Sequence, residues 1–205
     1  MLDRRARARL GPIWAAMARG LGDRGVTPNH LTALGLVLAV VSAVAAGLAM
    51  WPLAAVLWLL SRIPDGMDGQ LARMQGGGTE YGGFLDIVAD FVGYGAFVVG
   101  VAIGEPDARV AALVLLLAYY ANGTAFLAWS SVAERLSRQR PDEERTLNFV
   151  GGLTEGVETI VAHALFALLP GLLPWTVWGF AAAVWVTVGQ RVVFVRRALR
   201  DVGST

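Results

Sequence analysis

The 205-residue chain contains no cysteine and no lysine, only two histidines, and few charged residues, 16% in all. Without cysteine there is no disulfide framework and no thiolate metal site. Every basic residue is arginine, which we read as genomic base composition before chemistry. With 56% hydrophobic residues and a mean hydropathy of +0.56, the chain is too apolar for an ordinary soluble domain and suits one compact membrane domain. The formal net charge of +1 says little; its distribution says more.

Apolar stretches of spanning length recur at about 31–50, 52–74, 81–103, 108–134, 150–169 and 173–195, separated by Gly, Pro or charged residues. They predict an all-α integral membrane protein with six transmembrane helices. The breaks at Met50-Trp51-Pro52, Gly104 to Asp107 and Pro170 to Pro174 lie on one side, which holds only Arg109. The other side holds Arg4, Arg5, Arg7, Arg9, Arg19, Arg24, Arg73, Arg135, Arg138, Arg140, Arg145, Arg196, Arg197 and Arg200. By the positive-inside rule, both termini face the cytoplasm from a multi-pass position in the cell membrane. Trp14, Trp51, Trp129, Trp175 and Trp178 fall near the interfaces, as belt residues do.

Residues 1–26 do not read as a secretory signal, because Arg19, Asp23 and Arg24 interrupt the apolar stretch. Leu10, Ile13, Trp14, Met17 and Leu21 form one helical stripe with arginines on the other faces, so an amphipathic interfacial helix is expected. Packing of that stripe on the protein's own surface is the alternative. The remainder divides into a six-span domain over 27–198 and a short cytoplasmic tail, 199–205.

Against this apolar background stand Asp65, Asp68, Asp86 and Asp90. An ionised Asp costs roughly 2.5–3.5 kcal/mol at a helix centre on insertion scales, so the four require cations or a polar cavity. Asp65 and Asp68 share a face near the cytoplasmic end of the second span, and Asp86 and Asp90 share one near the start of the third. The short connection makes these helices antiparallel neighbours and brings both pairs to similar depth. Oxygen-only ligands suit a hard cation such as Mg2+ or Mn2+, and two such ions neutralise four carboxylates. Gly69 and Gly76 to Gly78 permit close approach to the backbone, and Arg73 suits a phosphate. The competing explanation, salt bridges to Arg62 and Arg73, leaves two acids without a counter-charge. Pro64, just before Asp65, predicts a kink beside the acids.

The series Asp65, Asp68, Gly69, Ala72, Arg73, Gly82, Asp86, Asp90 has the spacing DxxDGxxAR, eight residues, GxxxDxxxD. It resembles the signature of the CDP-alcohol phosphotransferase family, and Thr27-Pro28-Asn29-His30-Leu31-Thr32 resembles that family's lead-in to its first span. The resemblance implies metal-dependent transfer of a substituted phosphate from a CDP-linked donor, CDP-diacylglycerol by preference, to an acceptor alcohol, with release of CMP, in phospholipid biosynthesis. It further implies that Asp65, Asp68 and Asp86 hold one ion and Asp65, Asp86 and Asp90 a second. Asp90 would be the general base. Asn29, His30, Leu31, Thr32, Gly69, Ala72, Arg73, Thr79 and Gly82 would form the donor site, and the protein would be a homodimer.

For the acceptor, the start of the fifth segment offers Glu155 and Glu158 where a phosphate site would want arginines, with Arg135 at the end of the fourth. These three are the acceptor candidates, and the glutamates put a phosphorylated acceptor in doubt. Tyr119, Tyr120 and Asn122 are candidates to line its cavity, and His163 is expected to be a hydrogen-bonded packing residue. Two other functions fit less well: transfer from a CDP-linked small alcohol to a lipid hydroxyl, and a cation- or proton-coupled transporter. A transporter would place its acids at the midplane with broken helices. No nucleic-acid partner is expected.

Overall fold

The computed structural model describes residues 14–139, 154 and 156–203. Every long element among them is an α-helix: α1 (14–22), α2 (Pro28–Gly47), α3 (Trp51–Met74), α4 (Glu80–Gly104), α5 (Arg109–Gln139), α6 (Gly156–Leu168) and α7 (Leu173–Gly203). Short 3-10 turns at Pro106–Ala108 and Pro170–Leu172 lead into α5 and α7.

Local chemistry sets the helix starts. The Thr27 hydroxyl accepts from the His30 N–H at 3.4 Å, and His30 Nδ1 accepts from the Thr27 N–H at 3.3 Å, so two otherwise orphaned donors are satisfied reciprocally ahead of Pro28. Thr79 caps α4 in the same manner, accepting from the Gly82 N–H at 3.0 Å. Between α3 and α4 the chain reverses through Gly76 and Gly77, whose φ values of 100° and 109° suit glycine alone.

Helix α2 packs against both α3 and α4, α5 pairs with α7, and α6 lies against α3. Small residues let α2 and α4 approach closely: a Cβ on Gly100 would overlap the Ala43 carbonyl oxygen, and one on Gly104 that of Ala46. Trp58, Phe97, Leu115, Phe166, Leu173 and Val184 form the core joining the two groups of helices. Leu34, Val37 and Val44 on α2, with Val110, Leu113 and Leu117 on α5, point outward. Such apolar outer faces fit a lipid surround. Pro28–Gly47, Glu80–Gly104, Pro106–Leu136 and Pro170–Arg200 are long and apolar enough to cross a membrane. At 24 residues α3 has the length, but its second half carries Arg62, Asp65, Asp68 and Arg73, which lower its hydropathy.

The helices overrun several of the predicted segments, with α5 reaching Gln139 and α7 reaching Gly203. Hydropathy marks where apolar side chains stop, whereas backbone hydrogen bonding continues into the polar ends. Pro64 does not interrupt α3, which is helical from Trp51 to Met74. The N-terminal stripe divides. Trp14 and Leu21 pack with buried Ala18 against Leu31, Met67 and Leu71, while Met17 stays exposed; Leu10 and Ile13 lie outside the described residues. In its described part α1 therefore braces α3, with Trp14 seated over Gly66 between the first two aspartates.

Candidate functional site: an acidic cluster between two cavities

The second half of α3 and the first half of α4 run antiparallel and bring all four aspartates into electrostatic contact. Asp68 feels the charges of Asp86 and Asp65, and Asp90 those of Asp65, Arg62 and Asp86. Each carboxylate has a different setting. Asp68 is buried, with Oδ2 accepting from the Thr32 hydroxyl at 2.7 Å and Oδ1 from the Gly69 N–H at 2.6 Å. Asp90 accepts from Arg62 Nη1 at 3.3 Å, and Asp65 Oδ2 lies 3.9 Å from the same nitrogen. The Arg62 guanidinium packs over the rings of Trp58 and Tyr94. Thus Arg62 pairs inside the acidic site, whereas Arg73 is exposed at its edge, its guanidinium lying over Gly69.

Among the described residues, no three Asp, Glu or His side chains are grouped tightly enough to hold a metal ion as they stand. Arg62, Thr32 and the Gly69 amide each occupy a carboxylate oxygen. The donor set is nevertheless chemically suited to a hard divalent ion: oxygen only, from facing helices, with more negative charge than Arg62 can balance.

Two cavities meet this cluster. One, of about 640 Å3, is lined by Asp68 and Asp86 together with Asn29, Thr32, Gly69, Ala72, Arg73, Thr79 and Gly82. Asn29 approaches α4 where a Cβ on Gly82 would stand 3.3 Å from its Oδ1. His30 and Leu31 do not line it: the His30 ring is taken up in the α2 cap, and Leu31 is buried against α1 and α3. The second cavity, of about 390 Å3, is lined by Asp90, Tyr94, Tyr119, Tyr120, Asn122 and Arg191, among others. Asp86 therefore borders one cavity and Asp90 the other.

Of the acceptor candidates, Glu155 lies outside the described residues. Glu158, in the first turn of α6, and Arg135, exposed near the end of α5, do not line the second cavity. Arg191 does. Its buried guanidinium donates to the Asn122 carbonyl at 3.2 Å and packs 5.3 Å from the Phe126 ring centre. One turn earlier on α7, Thr187 accepts from the Thr154 N–H at 3.0 Å and so holds Thr154 at the cavity wall. Arg191 was not among the acceptor candidates drawn from the sequence. Its signal was an arginine inside an apolar span well short of the terminal arginine group. His163 is fully buried, hydrogen-bonded to the Tyr119 hydroxyl at 2.8 Å and stacked on Phe97.

The model of the family described as CDP-alcohol phosphatidyltransferase matches residues 25–189, which take in all four aspartates and the lining of both cavities except Arg191. The chain belongs to this family. It is a transferase of the CDP-alcohol phosphatidyltransferase type, embedded in the membrane through several helices. Among curated proteins, the inner membrane protein YnjF of Escherichia coli is 36% identical over 194 residues, covering 94% of each chain. The phosphatidylinositol phosphate synthase of Mycolicibacterium smegmatis is 31% identical over 191 residues, 84% of this chain and 78% of that one. Among solved structures, the Mycobacterium tuberculosis phosphatidylinositol phosphate synthase with CDP-DAG bound superposes with a TM-score of 0.72 at 26% identity, over 90% of this chain and 94% of that one. The same mycobacterial enzyme in complex with manganese and citrate gives 0.69 at 25% identity, over 89% and 88%.

Proposed function

We propose that this family member transfers a phosphatidyl group from CDP-diacylglycerol to the hydroxyl of a small anionic alcohol, releasing CMP. The observation that carries this reading is the position of the acidic cluster between two cavities, each bordered by a different aspartate of α4. The larger cavity takes the cytidine diphosphate: Arg73 meets phosphate, and Gly69 and Gly82 give the nucleotide access to the backbone, with Asn29, Thr32, Ala72 and Thr79 around it. His30 and Leu31 contribute by shaping the start of α2. The smaller cavity takes the acceptor, with the buried Arg191 supplying the charge that an anionic group requires.

In this reading Asp65, Asp68, Asp86 and Asp90 hold two divalent ions, Mg2+ or Mn2+, a metal type found with the mycobacterial neighbour. When bound, such ions offset charge on the diphosphate and on departing CMP. Asp90, which borders the acceptor cavity, accepts the acceptor hydroxyl's proton as its oxygen attacks the phosphorus. The bond from that phosphorus to the CMP oxygen breaks. Thr32 and the Gly69 amide keep Asp68 oriented, so the donor side of the cluster is preorganised.

Six spans are part of the proposal: α2, α3, α4, α5, α6 and α7. The helix α1 lies at the interface, both termini and the site face the cytoplasm, and the protein is a homodimer. Purified protein with labelled CDP-diacylglycerol and Mg2+, offered glycerol phosphate, inositol phosphate, serine, inositol, choline or phosphatidylglycerol, tests the reaction. CMP release with a phosphorylated acceptor is expected. Turnover with serine or choline alone would overturn the acceptor assignment, and no CMP release from any CDP-linked donor would overturn the reaction.

A further inference from the structure

Arg62 is the buried cation of the acidic cluster, and its pose is built from several directions. Its side chain is only 11% exposed. Nε donates to the Ser61 hydroxyl at 3.1 Å, and that fully buried hydroxyl in turn donates to the Trp58 carbonyl at 2.6 Å. The guanidinium carbon lies 4.7 Å from the Trp58 ring centre and 5.4 Å from that of Tyr94, so the planar group rests against two aromatic faces. A cation held in this way is a fixed object, not a surface side chain seeking a partner.

Its hydrogen bonding sets Asp90 apart from Asp68. Asp68, on the donor cavity, is held by a hydroxyl and an amide. Asp90, on the acceptor cavity, is held across the helix pair by Arg62, which also approaches Asp65 three residues further along α3. Tyr94, one turn after Asp90 on α4, lines the same acceptor cavity and lies 3.5 Å from Arg62 Nη1 through its hydroxyl. Repulsion among four carboxylates would otherwise turn Asp90 away from the others, and a single methylene-linked carboxylate has rotamers in which to do so.

We infer that Arg62 is a positioning residue: a resident guanidinium that fixes the Asp90 carboxylate at the boundary between the acidic cluster and the acceptor cavity, where it meets the attacking hydroxyl. This rests on the proposed reaction and adds to it a residue outside the aspartate series. Lysine does not reproduce the arrangement, because the role needs a planar group that stacks on Trp58 and Tyr94 while donating to Ser61 and Asp90.

The test compares wild type with Arg62→Ala and Arg62→Gln in detergent-solubilised full-length protein, using CDP-diacylglycerol and the pooled acceptors named above. CMP release is expected to fall about 100-fold in both variants, the scale of a misplaced reacting group. The KM for CDP-diacylglycerol and Mn2+ binding followed by electron paramagnetic resonance are expected to persist. Methylguanidinium, which fits the space vacated between the two rings, is expected to restore turnover to Arg62→Ala but not to Asp90→Asn. Wild-type turnover in both Arg62 variants, loss of Mn2+ and donor binding together with turnover, absence of rescue, or failure of both variants to fold would each overturn the role. Wild type that binds Mn2+ but releases no CMP overturns the proposed reaction instead.

Discussion

The two sides of the acidic cluster are built in opposite ways. The larger cavity, proposed for the donor, is local in sequence: α2, the end of α3 and the start of α4 supply every residue named for it, between Asn29 and Asp86. The smaller cavity, proposed for the acceptor, is assembled from Asp90 and Tyr94 on α4, Tyr119 and Asn122 on α5, Thr154 before α6 and Arg191 on α7. A site within one helical hairpin and its neighbour is held to fixed spacings by the helical repeat. One closed by packing of distant helices carries no such spacing. The first kind of site is therefore readable as a pattern, and the second becomes visible only when the helices are in place.

The largest expected effects fall on the cluster itself, where the two sides meet. Removing divalent ions with EDTA is expected to abolish CMP release, with Mg2+ or Mn2+ restoring it; full activity in the chelator would break the metal assignment. Asp90→Asn is expected to lower kcat by roughly 100- to 10,000-fold, the range for loss of a positioned general base, while donor binding is kept. Unchanged turnover in that variant would move the base elsewhere. If donor binding fell as well, Asp90 would belong to the donor side, and the division between the cavities would fail.

A smaller and more selective effect is expected on the acceptor side. Arg191→Gln removes a charge-assisted hydrogen bond of about 1.5–3 kcal/mol, so the acceptor KM is expected to rise about 10- to 100-fold with the donor KM unchanged. Kinetics with each substrate varied in turn would show this. A rise in the donor KM instead would place Arg191 on the nucleotide.

The helical, membrane-embedded character of the chain was legible from composition and run length, because lipid exposure leaves Leu34, Val37 and Val44 on the outside of α2 as plainly as burial leaves Phe97 and Val101 within α4. The aspartate series was legible because helical spacing and the lack of alternative ligands constrain it together. Arg191 was not, since an arginine in an apolar span states a cost without naming its neighbours. His30 and Leu31 show the converse difficulty. They stand within the motif that leads into α2, yet one side chain caps a helix and the other fills a core, roles that sequence proximity to functional residues conceals. The N-terminal stripe is ambiguous in another way: an apolar face reads the same whether it meets lipid or α3.

The mildest prediction concerns how the two halves are packed. On the donor side, α2 and α4 touch through glycine, and a methyl group on Gly100 would meet the Ala43 carbonyl oxygen, which cannot move without displacing its helix. Gly100→Ala is therefore expected to destabilise the protein by about 1–3 kcal/mol, the cost of overpacking a close contact. Its midpoint of thermal unfolding in detergent should be lower than wild type. Gly179, exposed on α7 in the other half, has open space where its Cβ would be. There the same substitution replaces a poor helix former with the best, and Gly179→Ala is expected to stabilise by up to about 1 kcal/mol. The opposite signs follow from one structural difference, since the donor half brings two backbones into contact while this stretch of α7 faces outward. Equal shifts from both substitutions would mean that the glycines of α2 and α4 do not set the spacing on which the donor cavity depends.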